Sequence, residues 1–315
     1  MLLSIIIPIY NEEKNIALLY NRLTTALQPI NAHLELIFIN DGSSDNSISL
    51  IKELSQKDPA VKYIDFSRNF GHQIAVTAGI DFAQGDALVI IDADLQDPPE
   101  VIVDLFKKFE QGYSVVYAKR ALRKGENALK LLTAKVFYQI LSKITSVNIP
   151  VDTGDFRIID RKVVEVLKKM PEQNKFLRGQ IAWVGFKQTY VEYEREERYA
   201  GKTGYTYKKM IKFALDGITS FSDLPLKIAT LTGFGVSGIA FILMLYTLYS
   251  RFFSHNYVPG WPSLMITILF IGGIQLIGIG IIGEYIGRIS SNTRNRPLYV
   301  INESNIKEKE EISIL

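Results

Sequence analysis

A chain of 315 residues that is 47% hydrophobic can fill one large or two ordinary cores, and 36 Lys and Arg against 33 Asp and Glu leave a formal charge of only +3. That balance, with no basic stripe interleaved with aromatics, argues against a nucleic-acid binder. The lack of cysteine excludes disulfides, thiol nucleophiles and zinc-thiolate sites, and suits a cytoplasmic domain.

The run Leu3 to Ile9 has neither the basic start nor the small-residue cleavage site of a signal peptide and reads as a strand. It closes in Pro8-Ile9-Tyr10-Asn11-Glu12, after which Ile16, Leu19, Leu23 and Leu27 recur at helical spacing. Leu34 to Ile39 predicts a second strand ending in Asn40-Asp41-Gly42-Ser43-Ser44-Asp45, a cluster of turn formers and a helix cap before Ile48, Ile51 and Leu54. Asp41 reads equally well as a residue that grips a ribose or base and as part of a good turn. Val61 to Phe66 is a third strand, followed by Ser67-Arg68-Asn69-Phe70-Gly71-His72 and a small-residue helix from Ile74 to Ala83. Ala87 to Ile91 is a fourth, Val101, Leu105 and Phe109 mark a helix, and Tyr113 to Ala118 is a fifth strand. Strands alternating with helices imply a mainly parallel α/β sheet. There is neither a G-x-G-x-x-G nor a Walker lysine motif, so a nucleotide would be held by side chains and a metal.

The fourth strand stops at Asp92, with Asp94, Gln96 and Asp97 close behind and then Pro98 and Pro99. A D-x-D arises by chance about once in a chain of this length, so its position matters more than its presence. Ligands of open parallel sheets sit outside the carboxyl ends of the strands, where two such acids can share a divalent ion.

Past Ala118 a basic loop holds Lys119, Arg120, Arg123 and Lys124, a feature that is most often just solvated; an amphipathic stretch from Leu129 to Leu141 follows. Asp152 to Arg157 packs acid and base around Gly154, Arg161 to Met170 reads as a helix and Trp183 to Val191 as a strand. Arg195, Arg198, Gly201, Lys202, Thr203 and Gly204 then form a segment able to wrap an anion or act as a lid. Tyr205 to Leu224, with Lys208, Lys209 and Lys212 off its apolar face, predicts an interfacial helix. Charge almost vanishes over 228–250 and 262–287, each long enough to span a bilayer. Cations cluster before the first span and after the second, at Arg288, Arg294 and Arg296, which places both termini in the cytoplasm. Glu284 either snorkels or pairs with Arg288 one turn on, and the charged tail from Glu303 to Glu311 reads as loose.

Taken together, Pro8 to Glu13, Asp41 to Asp45, Arg68 to Gly71, Asp92 to Pro99 and Asp152 to Arg157 stand in the order found in inverting family 2 glycosyltransferases that act on polyisoprenyl phosphates. The chain resembles the bactoprenol glucosyltransferases and dolichol-phosphate mannose synthases along essentially its whole length. The resemblance implies a GT-A, Rossmann-like α/β catalytic domain with a mainly parallel sheet over 1–204. Interfacial helices over 205–227, a two-helix transmembrane hairpin over 228–288 and a cytoplasmic tail over 289–315 would follow. It further implies a nucleotide-sugar donor, a polyprenyl phosphate acceptor, Mg2+ or Mn2+, membrane lipids around the hairpin and a place in the inner (plasma) membrane. Pro8, Tyr10, Asn11, Glu12 and Asp41 would then surround the nucleoside, while Asp92, Asp94 and Gln96 hold metal and diphosphate. Arg120, Arg123, Arg157, Arg198 and Lys202 become candidates for the acceptor phosphate or the departing diphosphate. Asp155 would sit on the attacking side, as a base or as a residue that positions Arg157 or the sugar. Glucose from UDP-glucose is the expected donor, from the wording of Asp152 to Arg161, with GDP-mannose or a modified arabinose as alternatives. A processive polysaccharide synthase would carry an acceptor motif in which Gln180 to Trp183 here lacks the arginine. A non-catalytic nucleotide-sugar-binding scaffold is the reading from another class, and the glycines of the second span allow a homo-oligomer.

Overall fold

A computed structural model describes residues 1–121, 153–196, 224–249 and 260–306. At its centre is β1 (Leu2–Ile9), buried from Leu3 onward. A strand apolar on both faces must be covered on both, and helices do so here. The alternation continues through α1 (Ile16–Ala26), β2 (His33–Asn40), α2 (Ser47–Lys57), β3 (Val61–Phe66), α3 (His72–Phe82), β4 (Ala87–Ile90), α4 (Val101–Glu110) and β5 (Val115–Arg120). The remaining described elements are β6 (Thr153–Asp160), α5 (Arg161–Lys168), α6 (Leu177–Trp183), β7 (Gln188–Tyr193), α7 (Leu224–Tyr249), α8 (Trp261–Thr293) and β8 (Ile301–Ser304).

The strands form one eight-stranded sheet in the order β7-β5-β6-β4-β1-β2-β3-β8. Neighbours are parallel except that β6 runs antiparallel to β4 and β5, and β8 antiparallel to β3. Alternate residues feed two cores. Ile5, Ile7 and Ile9 meet Leu19, Leu23, Ile51, Ile102 and Leu105 on one side, while Ile6 and Ile39 meet Ala75, Val76, Val163 and Leu177 on the other. Each such fully buried aliphatic side chain stabilises the fold by about 1.5–3 kcal/mol.

The Asp152-to-Arg157 cluster belongs, from Thr153, to the interior strand β6: Phe156 and Ile158 enter one core, which turns Asp155 and Arg157 to the opposite face. Three expectations need correcting. Trp183 to Val191 is not one strand, because Leu177 and Ile181, one helical turn apart, bury the face of α6 and only Gln188 begins β7. Nor is the tail loose from Glu303, since β8 pairs with β3 and Ile306 is buried. The fifth strand also starts two residues later than expected and runs on to Arg120, which places that cation on a strand.

The apolar C-terminal stretches fold as α7 and α8, whose segments Leu224–Leu243 and Phe270–Thr293 are long and apolar enough to cross a membrane. They pack on each other and leave Leu231, Phe234, Leu276 and Ile277 exposed. Arg288 does pair with Glu284, Nε to Oε1 at 3.1 Å. The Leu129-to-Leu141 stretch and the interfacial segment up to 223 lie outside the described residues.

Gly42 is where two loops of the sheet's carboxyl edge touch. Its φ is +63°, and a Cβ there would lie 2.4 Å from the Arg68 carbonyl carbon and 2.5 Å from the Asn69 nitrogen. Backbone cannot rotate away as a side chain can, so Gly42→Ala is expected to lower stability by about 1–3 kcal/mol, read as a lower thermal unfolding midpoint.

Candidate active site

Because β1 to β5 and β7 share one direction, their carboxyl ends gather on one edge, joined there by the amino end of the reversed β6. The first two loops of this edge are knitted together. Asn11, at φ +57°, donates its backbone N–H to Ser43 Oγ at 2.9 Å and accepts the Ser44 N–H at 2.8 Å. Glu12 N donates to Ser47 Oγ, and the Glu12 carboxylate accepts from Asn15. Pro8 is buried within β1, and Tyr10 presents its ring to solvent, 51% exposed. Buried Asp41 accepts the backbone N–H groups of Phe70, at 2.6 Å, and of Gly71, at 3.0 Å, and so ties the β2 end to the start of α3. Burial raises its pKa, against the pull of those two N–H groups.

Asp155 is the most heavily engaged acid of the edge. Arg178 Nε reaches one oxygen at 2.8 Å; His72 Nε2, at 3.1 Å, and Gln73 Nε2, at 3.0 Å, share the other. Burial alone would raise its pKa, but the charges of Arg178, His72 and Arg157 hold it well below the usual carboxylate range. Arg157, 1% exposed, donates Nε to the Asp155 carbonyl at 3.1 Å and Nη2 to the Gly154 carbonyl at 2.6 Å, under the Tyr117 ring. These bonds brace the amino end of β6, and Arg157 Nη1 is buried without a hydrogen-bond partner.

Asp92 lies across from this group, its Oδ1 3.6 Å from His72 Nε2. Burial and the neighbouring Asp97, Asp155 and Asp94 push its pKa up to about 6, although His72 works the other way. For His72, burial pulls the pKa down, but Asp92 and Asp155 outweigh it and push the value up to about 9. Asp94 is buried and accepts the Gln96 N–H at 3.1 Å, across Leu95 at φ +58°. Gln96 in turn accepts the Glu196 N–H on its carbonyl, at 3.0 Å.

Fully buried Asp97 takes the Tyr193 hydroxyl and lies 3.4 Å from Arg195 Nε. Arg120 Nε donates to the Tyr193 oxygen at 3.4 Å; burial lowers its pKa, and Asp97 and Tyr193 more than restore it. Gly154 makes room for this cation, since a Cβ there would stand 2.9 Å from Arg120 Nη2. Arg123, Arg198 and Lys202 lie outside the described residues, as does Asp152.

Among the described residues no group of three or more His, Asp or Glu is arranged to hold a metal alone. Mg2+ sites commonly use one or two carboxylates and complete the shell with phosphates and water. Asp92 Oδ1 and Asp97 Oδ2 are buried without a hydrogen-bond partner, and burial, then the neighbouring Asp97, Asp155 and Asp94, raises the Asp92 pKa; a cation answers both conditions. Asp92 and Asp97 are therefore suitable ligands, and Asp94 and Gln96 lie between them in the chain.

Reading the sequence alone missed His72, Gln73, Arg178 and Tyr193 as members of the cluster. His72 was in view, directly adjoining the Arg68-to-Gly71 motif, and Asp97 was noted within Asp92 to Pro99 but given no role. Arg178 sits on a helix 23 residues from Asp155 and carried no local signal.

Residues 4–168 match the family model described as glycosyl transferase family 2. The "Uncharacterized glycosyltransferase YkcC" of Bacillus subtilis (strain 168) is 52% identical over 96% of this chain and 93% of its own length. The "Prophage bactoprenol glucosyl transferase homolog" of Escherichia coli (strain K12) is 45% identical over 96% and 98%. The "Bactoprenol glucosyl transferase" of Shigella phage SfV is 43% identical over 98% and 100%.

A folded pKa near 9 against an ordinary 6.5 means that pairing His72 with Asp92 and Asp155 stabilises the protein fully below pH 6.5, and that this is lost as pH rises through 9. The thermal midpoint of the ligand-free protein is expected to fall between pH 6.5 and 9, less steeply in His72→Gln. Carbon-13 NMR of labelled histidine should show one of the three histidines titrating near 9.

Proposed function

The chain belongs to glycosyl transferase family 2, and we propose on that premise that it transfers glucose from UDP-glucose to a polyprenyl phosphate at the cytoplasmic face of the plasma membrane. The observation that carries this reading is the acid cluster at the ends of β4 and β6, on a GT-A-like mixed sheet followed by two apolar helices. The names of the bactoprenol glucosyl transferase relatives support the lipid acceptor and the glucose.

In this proposal Tyr10 and Asp41, on the framework of Pro8, Asn11 and Glu12, line the nucleoside side. Asp92 and Asp94, with Gln96, face the diphosphate and its Mg2+ or Mn2+. A bound ion of this kind neutralises charge on the departing nucleotide diphosphate. The acceptor needs no base, because a phosphate monoester with a second pKa near 6 is largely dianionic at neutral pH. Asp155, held ionised by Arg178, His72 and Arg157, is correspondingly a positioning residue, fixing the amino end of β6 that carries Arg157. Arg120, with Arg123, Arg198 and Lys202, attracts the acceptor phosphate, and in-line attack inverts the anomeric carbon. Anchoring by α7 and α8 raises the local concentration of lipid phosphate, which cannot diffuse to a soluble enzyme.

The test is transfer of label from UDP-glucose to a short polyprenyl phosphate in detergent, with and without Mg2+ or Mn2+, beside GDP-mannose. Labelled lipid is expected from UDP-glucose and only with the ion. Asp94→Ala should reduce turnover by at least about 100-fold at an unchanged unfolding midpoint, the range of a lost electrostatic contact in a transition state. Full turnover in that variant would remove Asp94 from the chemistry, and labelling from GDP-mannose alone would change the donor.

A further inference from the structure

The segment after α8 returns to the catalytic sheet and lies along β3. Tyr299 stacks on Phe66, with centroids 5.2 Å apart, and the Val300 carbonyl accepts the Ser67 N–H at 3.0 Å. Within β8, Glu303 accepts the Tyr63 hydroxyl at 2.7 Å and pairs with Lys52. Asn305 then binds the Tyr63 N–H at 2.7 Å and the Val61 carbonyl at 3.2 Å. These contacts attach the strand.

Asn302 makes a contact of another kind. Its Nδ2 donates to Asp65 Oδ2 at 2.9 Å, and the other oxygen of that buried carboxylate accepts Asn40 Nδ2 at 2.7 Å. Asn40 is the last residue of β2 and directly precedes Asp41, whose carboxylate holds the Phe70 and Gly71 N–H groups. Asp65 is the penultimate residue of β3, two residues before Ser67, which Val300 also holds. A carboxylate clamped by two neutral amides therefore fixes the ends of the two strands that carry Asp41 and the Arg68-to-Gly71 loop. One of those amides comes from the far side of the apolar helices.

We propose that Asn302 is a positioning residue of the donor pocket: through Asp65 and Asn40 it sets the place of Asp41 and the Ser67-to-Gly71 loop, and with them affinity for a nucleoside diphosphate. The proposal rests on the donor-site reading above. It acts on binding of the nucleotide, not on bond cleavage, so it separates KM from kcat. Removing one amide leaves a buried charged oxygen without its donor and lets the strand ends drift, an effect on the scale of a hydrogen bond to a charged group.

The experiment is titration of UDP, and separately GDP, into the full-length protein in detergent, with donor kinetics alongside. Asn302→Ala is expected to weaken UDP binding roughly tenfold and raise the donor KM equally, with kcat within about twofold of wild type. Asn302→Asp, which sets two carboxylates against each other, should weaken it further. The exchange Asp65→Asn with Asn302→Asp reverses donor and acceptor between positions 65 and 302, keeps an amide oxygen at 65 to accept Asn40 Nδ2, and should return affinity to within about threefold. Unchanged UDP affinity in Asn302→Ala overturns the proposal alone, as does an exchange variant that keeps its unfolding midpoint yet binds no better than Asn302→Asp. If the wild-type protein binds neither UDP nor GDP, the donor-site reading falls and takes this proposal with it.

Discussion

Four carboxylates, Asp92, Asp94, Asp97 and Asp155, are concentrated in one half-buried edge of the sheet, and most of the local architecture answers that fact. Two like charges 4 Å apart repel by about 4 kcal/mol at the effective dielectric typical of such positions, so an unattended cluster would open the edge. The fold attends to each acid differently. Asp155 receives Arg178, His72 and Gln73; Asp97 receives Tyr193 and Arg195; Asp94 takes a local backbone N–H. Asp92 has His72 Nε2 at 3.6 Å, yet burial, then Asp97, Asp155 and Asp94, raises its pKa. The unevenness is informative, because an acid whose charge is disfavoured by burial and by its neighbours gains from a bound cation.

This division also sorts the chemistry. A carboxylate that takes protons during turnover should sit where its charge is disfavoured, yet Asp155 is the one whose charge is most favoured. The proposed phosphate nucleophile, already ionised, needs no such base. In that proposal the contacts of Arg178, His72 and Gln73 with Asp155 serve to hold the amino end of β6 in place.

Most of the parallel half of the sheet was legible because each of its strands is a short apolar run closed by turn formers, and local sequence alone sets that pattern. The D-x-D was legible for the same reason: its acids stand where an apolar run stops. β6 was harder. Its Thr153-to-Asp160 segment alternates Phe156 and Ile158 with Asp155 and Arg157, and an ion pair inside a central strand disguises the period of two. β8 offered only four residues, three of them polar, whose stability comes from partners on β3. The same limit hid Arg178, since a cation on a short helix acquires its meaning only when the fold brings Asp155 to it.

The late position of β8 has a consequence in time. β3 and β8 are neighbours in the sheet but are separated by about 235 residues of chain. At synthesis rates of about 5–20 residues per second, the β3 edge waits roughly 10–50 s before its partner strand exists. During that interval its backbone donors and acceptors stand open to other nascent chains, the usual start of edge-to-edge aggregation. Lys62 and Asp65 interrupt that edge with charge. Asp65, capped by amides in the finished sheet, thus spends its first seconds as a guard against the wrong strand arriving first.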